Sequence, residues 1–218
     1  MIVDGRALAK EILTRAKARA AKLPHPPRVL AIVASETPAT KSYLAIKSKR
    51  AADAGCVLDV RQFSESVSTE ELKAAIQTSD ADAIIVQLPL PNGVDTTAVC
   101  DAVPIGKDAD VLSSTARAHF ESMDIVSPYL LPPVVGAVQE ILEFGKADIA
   151  RKRAVVIGTG FLVGAPVATW LTHQGAEVSI LTSTSRDFGW FVNKKIIKKT
   201  NEGNVITATT TEIKKNII

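Results

Sequence analysis

The stretch Ala154-Val155-Val156-Ile157-Gly158-Thr159-Gly160-Phe161-Leu162-Val163-Gly164 decides the fold. Its first four residues are apolar and read as a buried strand. The glycines that follow read as a turn, and Phe161 to Gln174 continues as an apolar helix. A GxGxxxG turn between strand and helix lets backbone N–H groups approach a pyrophosphate at a helix N-terminus, which makes Gly158, Thr159, Gly160, Val163 and Gly164 candidate dinucleotide ligands. The spacing is one residue longer than the commonest fingerprint, and the same glycines also suit a turn required only for packing. A further strand, Ala176 to Leu181, leads into Thr182-Ser183-Thr184-Ser185-Arg186. An acidic residue here would take a ribose 2′-hydroxyl. Hydroxyls at Ser183 and Ser185 beside an arginine instead suit a 2′-phosphate, so the cofactor expected is NADP, with NAD possible.

The same stretch bears on membranes. No residue from Ala154 to Ala176 is charged, with His173 taken as neutral. Gly158, Gly160, Gly164 and Pro166 interrupt the run, so strand, turn and helix explain it better than a membrane span. Met1-Ile2-Val3-Asp4-Gly5-Arg6 carries an acid and has no apolar run, unlike a signal peptide.

Upstream, the pattern alternates between helix and strand. Asp4 caps a helix to about Leu23, and Arg28 to Ala34 is a continuous apolar strand. Thr37-Pro38 opens a helix ending at Gly55, and Val57 to Phe63 alternates as a strand. Ser68-Thr69-Glu70-Glu71 is a capping box before a short helix, and Asp82 to Leu88 is a third strand. A loop-rich stretch runs from Pro104 to Leu131, and Pro132-Pro133 starts a helix to Gly145. The prolines and the charged run Asp148 to Arg153 mark a hinge region. This rhythm predicts an α/β fold with parallel sheets covered on both faces.

Composition narrows the class. The 218 residues are 46% hydrophobic and 22% charged, enough to bury a core without staples. Cys56 and Cys100 are the only cysteines and lie far apart, which disfavours a zinc site or disulfide framework and fits a reducing cytosol. The formal net charge of +3 is unevenly placed: residues 186–218 carry +4 and the remainder −1. No basic face outside that tail suggests nucleic acid. The tail also changes composition. Alanine supplies 29 of the first 185 residues and one of the last 33, while Lys, Asn and Ile make up 16 of those 33. A basic binding tail, a solvated helix and strand, and a stretch foreign to this fold all fit that composition.

Four further pieces carry polar groups that could act. Tyr43 and Lys47 stand four apart on one predicted helix face, as they also would on an ordinary amphipathic helix. Gln87 ends an apolar strand, where ligands gather in parallel α/β sheets, and a buried amide there needs partners. Asp108 and Asp110 lie in a loop with Pro, Gly and Lys, where turn chemistry alone would account for them.

Taken in order, Tyr43-Leu-Ala-Ile-Lys47-Ser-Lys49, Gln87-Leu88-Pro89-Leu90-Pro91, Lys107-Asp108-Ala109-Asp110 and Val163-Gly164-Ala165-Pro166 resemble the bifunctional methylenetetrahydrofolate dehydrogenase/methenyltetrahydrofolate cyclohydrolase family. The resemblance spans residues 1–185, and Gln-Leu-Pro-Leu-Pro is its most specific piece. It implies a three-layer α/β folate-binding catalytic domain over 1–130, and the first half of a Rossmann-like NADP-binding domain over 131–185. The tail, 186–218, stands apart. Tyr43 matches the tyrosine that stacks on the folate aminobenzoate, Lys47 the catalytic lysine, Gln87 the glutamine that tunes it, and Asp110 the aspartate that anchors the pterin. It further implies tetrahydrofolate derivatives as partners, a homodimer, a cytoplasmic enzyme of one-carbon metabolism serving purine biosynthesis, no metal, no nucleic acid and no membrane.

The implied chemistry suits these groups. Hydride loss from a methylene bridge between two nitrogens leaves a cation that both nitrogens stabilise, so it needs position rather than a base. Water addition to the methenyl cation needs a proton handled near neutrality, and a lysine in an apolar cleft facing a cation gives up its proton more readily.

The chain also departs from the family pattern. Thr159-Gly160 stands where Arg-Ser is usual, Val111 where a glycine follows the aspartate, and Ser113 to Phe120 lacks the usual His-Pro-x-Asn. The chain ends before the later nucleotide-domain strands and the Pro-Gly-Gly-Val-Gly-Pro segment. A third strand at Asn204–Thr207 would be the last of the nucleotide unit. From this follows the expectation of an adenosine half without an ordered nicotinamide site, weak NADP binding and poor dehydrogenase activity, with cyclohydrolase chemistry better preserved. The rival readings are a truncated, non-catalytic folate-binding remnant, and a lysine-dependent two-domain dehydrogenase resembling shikimate dehydrogenase.

Overall fold

The computed structural model describes residues 3–35, 37–122, 131–182 and 184–185, and divides into two compact units, 1–136 and 137–218. Ser183, Arg186, the proposed strand at Asn204–Thr207 and the whole tail 186–218 lie outside the described residues.

The first unit opens with α1 (Gly5–Ala20), whose N–H groups at Arg6 and Ala7 donate to the Asp4 carboxylate as the capping pattern requires. Strand β1 (Arg28–Val33) is followed by α2 (Pro38–Asp53), with Thr37 as N-cap and proline in its first turn. Next come β2 (Val57–Gln62), α3 (Thr69–Gln77) with both halves of the Ser68–Glu71 capping box formed, and β3 (Ala83–Gln87). Helix α4 (Thr96–Asp101) and a 3₁₀ turn (Ile105–Lys107) lead to α5 (Ser114–Ser122).

The three strands form a parallel sheet in the order β2–β1–β3. β1 lies in the middle, which is why it reads as unbroken apolar sequence: Leu30, Ala31, Ile32 and Val33 are all buried, so both faces are covered. Leu30 and Ile32 pack with Leu72 and Ile76 of α3 and Val99 and Cys100 of α4. Each such large side chain contributes roughly 1.5–3 kcal/mol. β2 is an edge strand, and its exposed Asp59 and Arg61 blunt that edge.

Helix α5 adds an element that the reading of Pro104 to Leu131 as loop-rich did not place. Two caps build it. Asp101 accepts from the Ser114 N–H and hydroxyl, and Ser113 Oγ accepts from the Ala116 N–H at 3.3 Å. Both caps come from outside the helix, and Asp101 is thirteen residues upstream, beyond any local capping signature.

Helix α6 (Pro133–Phe144) spans the division between units. The second unit holds β4 (Arg153–Ile157), α7 (Gly164–His173) and β5 (Glu177–Leu181), with β4 and β5 paired in parallel. β4 is less buried than its sequence suggests: Val155 and Val156 are half-buried and Ile157 is 46% exposed. Among the described residues this sheet has two strands, so little covers it. Helix α7 starts at Gly164, not Phe161. Val163 N–H closes a turn onto Gly160 O, and Ala165 N–H donates to the same oxygen.

Candidate active site

Helix α2 places the first residue of the site. Its less exposed positions, Thr40, Leu44, Lys47 and Ala51, recur at helical spacing and run on to Ala54, the C-cap. Lys47 is the one charged residue in that stripe. Tyr43, one turn earlier, is 59% exposed, and Ile46 beside it is also exposed. The helix thus carries an ammonium on its inner side and an apolar platform next to it.

Gln87 is the last residue of β3 and pairs with Val33 of the central strand, so it sits at the carboxyl end of the parallel sheet. Its side-chain N–H donates to the Leu88 carbonyl at 3.0 Å, which fixes the amide's orientation and turns Oε1 toward Lys47. Lys47 Nζ donates to that Oε1 at 3.2 Å. The following Leu88–Pro89 peptide is cis.

Asp110 completes the group. Its Oδ2 lies 3.7 Å from Lys47 Nζ, with side-chain exposures of 35% for the lysine and 24% for the aspartate. Burial pushes the Asp110 carboxyl above the usual range; Lys47 opposes this, and the neighbouring Asp108 adds to it. The structure therefore brings together Lys47, Gln87 and Asp110 from a helix, a strand end and a loop. Tyr43 stands one turn away on the same helix.

In the second unit the three glycines of the turn are unlike one another. Gly158 has φ +97°, a conformation that side chains resist. A Cβ on Gly164 would collide with the Gly158 carbonyl oxygen and stand 2.7 Å from its carbon. Gly160 has neither constraint: a Cβ there would meet nothing within 4 Å. The turn's own geometry therefore explains two glycines and leaves space beside the third. The strand ends agree with this layout, since Gly158 N–H donates to Leu181 O and aligns the turn with the end of β5. Beyond β5, Ser185 Oγ accepts from the Thr182 N–H at 2.8 Å, so that hydroxyl closes the loop. Thr159 and Val163 lie in the turn itself, both exposed.

Among the described residues no cluster of His, Cys, Asp or Glu could hold a metal ion, and no helix is long and apolar enough to cross a membrane.

Comparison with known proteins gives this arrangement a family. Residues 3–110 match the tetrahydrofolate dehydrogenase/cyclohydrolase catalytic domain, and residues 132–217 match the NAD(P)-binding domain of the same family. The second match takes in nearly all of the stretch whose composition sets it apart. The bifunctional protein FolD of Cupriavidus necator is 32% identical over 216 residues, covering 95% of this chain and 75% of that protein. FolD of Lacticaseibacillus casei is 32% identical over 192 residues, covering 85% and 67%. Among solved structures, the bifunctional FolD enzyme of Campylobacter jejuni superposes with a TM-score of 0.78 at 27% identity, over 86% of this chain and 68% of that one. The Trypanosoma brucei methylenetetrahydrofolate dehydrogenase-cyclohydrolase, solved with NADP and an inhibitor, gives 0.78 at 29%, over 85% and 65%. With both domain types in order along one chain, the protein belongs to the tetrahydrofolate dehydrogenase/cyclohydrolase family.

Proposed function

We propose that this chain interconverts folate-bound one-carbon units: NADP-dependent oxidation of 5,10-methylenetetrahydrofolate to the 5,10-methenyl form, and hydrolysis of that form to 10-formyltetrahydrofolate. The observation that carries this reading is the convergence of Lys47, Gln87 and Asp110 at the carboxyl end of a parallel sheet, in a chain of this family.

Each residue has a part. Tyr43 offers its exposed ring to the folate aminobenzoate, where stacking adds about 0.5–1.5 kcal/mol beyond area burial. Asp110 anchors the pterin, whose N–H groups suit a carboxylate acceptor. In the hydrolytic step the water oxygen bonds to the methenyl carbon and loses a proton. The hydroxyl so formed gives up its remaining proton as the bond from that carbon to N5 breaks and N5 takes a proton, leaving the formyl group on N10 and one proton released overall. Lys47 Nζ meets the incoming oxygen, as proton acceptor or as hydrogen-bond donor to the tetrahedral intermediate. Gln87 and Asp110 take two of the three directions its nitrogen can serve, which leaves one for the substrate.

The glycine turn suits a dinucleotide. Gly158 and Gly164 shape it, Gly160 leaves room for a phosphate to approach, and Thr159, Val163, Ser183 and Ser185 complete the set that would hold NADP. The chemistry NADP supplies when bound is acceptance of the hydride from the methylene bridge. The chain's own contribution to that step is to orient the two ligands.

We also read the protein as a cytoplasmic homodimer, which light scattering of the purified chain would check. The decisive experiment assays methenyltetrahydrofolate hydrolysis by wild type and Lys47→Ala. Comparable rates would overturn the reading. Folate binding by wild type with no turnover in either direction would favour a binding remnant.

A further inference from the structure

The geometry points to Asp108 as a positioning residue: its buried carboxylate clamps the loop from 108 to 113 and thereby holds Asp110 against Lys47. The inference rests on the reading of Asp110 as the folate anchor, and it extends the site to a residue that turn chemistry alone would otherwise explain.

Asp108 is 7% exposed, so its carboxylate is largely shielded from solvent. Its Oδ1 accepts from the Leu112 N–H at 3.2 Å and its Oδ2 from the Ser113 N–H at 2.8 Å. These two bonds reach across Asp110 to the far end of the loop. The backbone bonds that fasten the same segment are longer: Asp108 N–H to Ile105 O at 3.4 Å, Ala109 N–H to Ile84 O at 3.3 Å, and Val111 N–H to Asp108 O at 3.4 Å. The loop is bridged to β3 at Ile84 and Asp108, three residues before Gln87. It also contains Val111 at φ +56°, a conformation that a β-branched residue keeps only where its surroundings enforce it. Charge-assisted bonds to two consecutive N–H groups are the strongest such restraint in the segment. Asp108 thus connects the sheet to the loop end and fixes the arc on which Asp110 is carried.

An asparagine at 108 keeps the shape but has one acceptor oxygen, so it turns an N–H against one of the two donors. Asp108→Asn is expected to raise KM for methenyltetrahydrofolate about tenfold while kcat changes less than about threefold, the split of a lost binding contact. Asp110→Ala should raise KM by more, and the double variant should be no worse than Asp110→Ala alone, because the clamp acts through that residue. Multiplicative effects in the double variant, or a folded Asp108→Asn with wild-type KM, would overturn the inference. Should Asp108→Asn not fold, Asp108→Ser takes its place, removing the buried charge and keeping one acceptor. A crystal structure of the folded variant decides the clamp independently of activity. Asp110 withdrawn from Lys47 supports it; the pair unmoved at its present separation refutes it. Unchanged KM in Asp110→Ala would instead defeat the anchor reading, and that crystal structure would still decide the clamp.

Discussion

Lys47 Nζ and Gln87 Oε1 lie 3.2 Å apart although forty residues separate them, and the Gln87 amide is turned toward the lysine by its own bond to the Leu88 carbonyl. The glutamine therefore presents a fixed acceptor, and the lysine's direction is set by a strand end rather than by its own flexible stem.

From that relation, Lys47→Ala should lower cyclohydrolase turnover by about 10²–10⁴-fold, the range for loss of an acid–base group. Folate binding should remain within a few-fold, since Tyr43 and Asp110 hold the ligand. Gln87→Ala should cost less, about tenfold in kcat, because it releases the lysine without removing it. Stopped-flow loss of the methenyl absorbance, with binding followed by tyrosine fluorescence, separates the two effects.

Asp110 should show a trade between stability and function. Its carboxyl is raised, chiefly by burial, so the folded chain holds that proton more tightly than the unfolded chain. The sign follows: the stabilising contribution is complete below the unfolded value near 3.9 and is lost as pH rises through the folded value. Asp110→Asn, which keeps the shape without the charge, should therefore melt higher than wild type near neutrality, with the gap closing in acid. The same variant should bind folate more weakly. Melting curves from pH 3 to 8 decide it, and a gap that widens in acid would contradict the sign.

Much of this was legible beforehand. Asp4, Thr37-Pro38 and the Ser68 capping box marked helix starts because their partners lie within three residues. The unbroken apolar run of β1 marked a central parallel strand. Lys47 was different: spacing gave it a helix face, but only its resemblance to a family motif gave it a role, and that its face is the less exposed one appears only in the fold. Helix α5 has a local cap as well, since Ser113 accepts from the Ala116 N–H three residues on, but its other cap, Asp101, lies thirteen residues away and leaves no mark in the adjoining sequence. The tail was set apart by composition, yet the family match runs to residue 217, since composition reports residue usage and not alignment. Asp108 looked like an ordinary turn residue because both its partners are backbone N–H groups, which no side-chain pattern reveals.

Val111 sets two effects against each other. Glycine would relieve a left-handed conformation worth about 1–3 kcal/mol. It would also lose the burial of a valine, about 1.5–3 kcal/mol, and a further 0.5–1 kcal/mol, roughly, in chain entropy. The losses win, so Val111→Gly should destabilise by about 1 kcal/mol. Urea unfolding measures it, and a more stable variant would show that strain outweighs packing.

The glycine turn allows stability to be separated from cofactor binding at two positions four residues apart. At Gly164 any side chain meets the Gly158 carbonyl, which is backbone and is tied to β5 by the Gly158 N–H bond to Leu181 O. Neither side can give without moving the strand end, so Gly164→Ala should destabilise the second unit by about 1–3 kcal/mol, the usual range for forced overpacking. At Gly160 a methyl meets nothing within 4 Å and the backbone needs no left-handed conformation. Gly160→Ala should therefore leave the melting temperature unchanged. If the space beside Gly160 is where a pyrophosphate approaches the turn, that same methyl occupies it, and NADP affinity should fall about tenfold, or roughly 1.4 kcal/mol. Cyclohydrolase activity, which depends on the first unit, should be untouched in Gly160→Ala. Calorimetric titration of NADP alongside thermal melts of both variants tests the assignment. Equal NADP affinity in wild type and Gly160→Ala would move the dinucleotide site away from this turn.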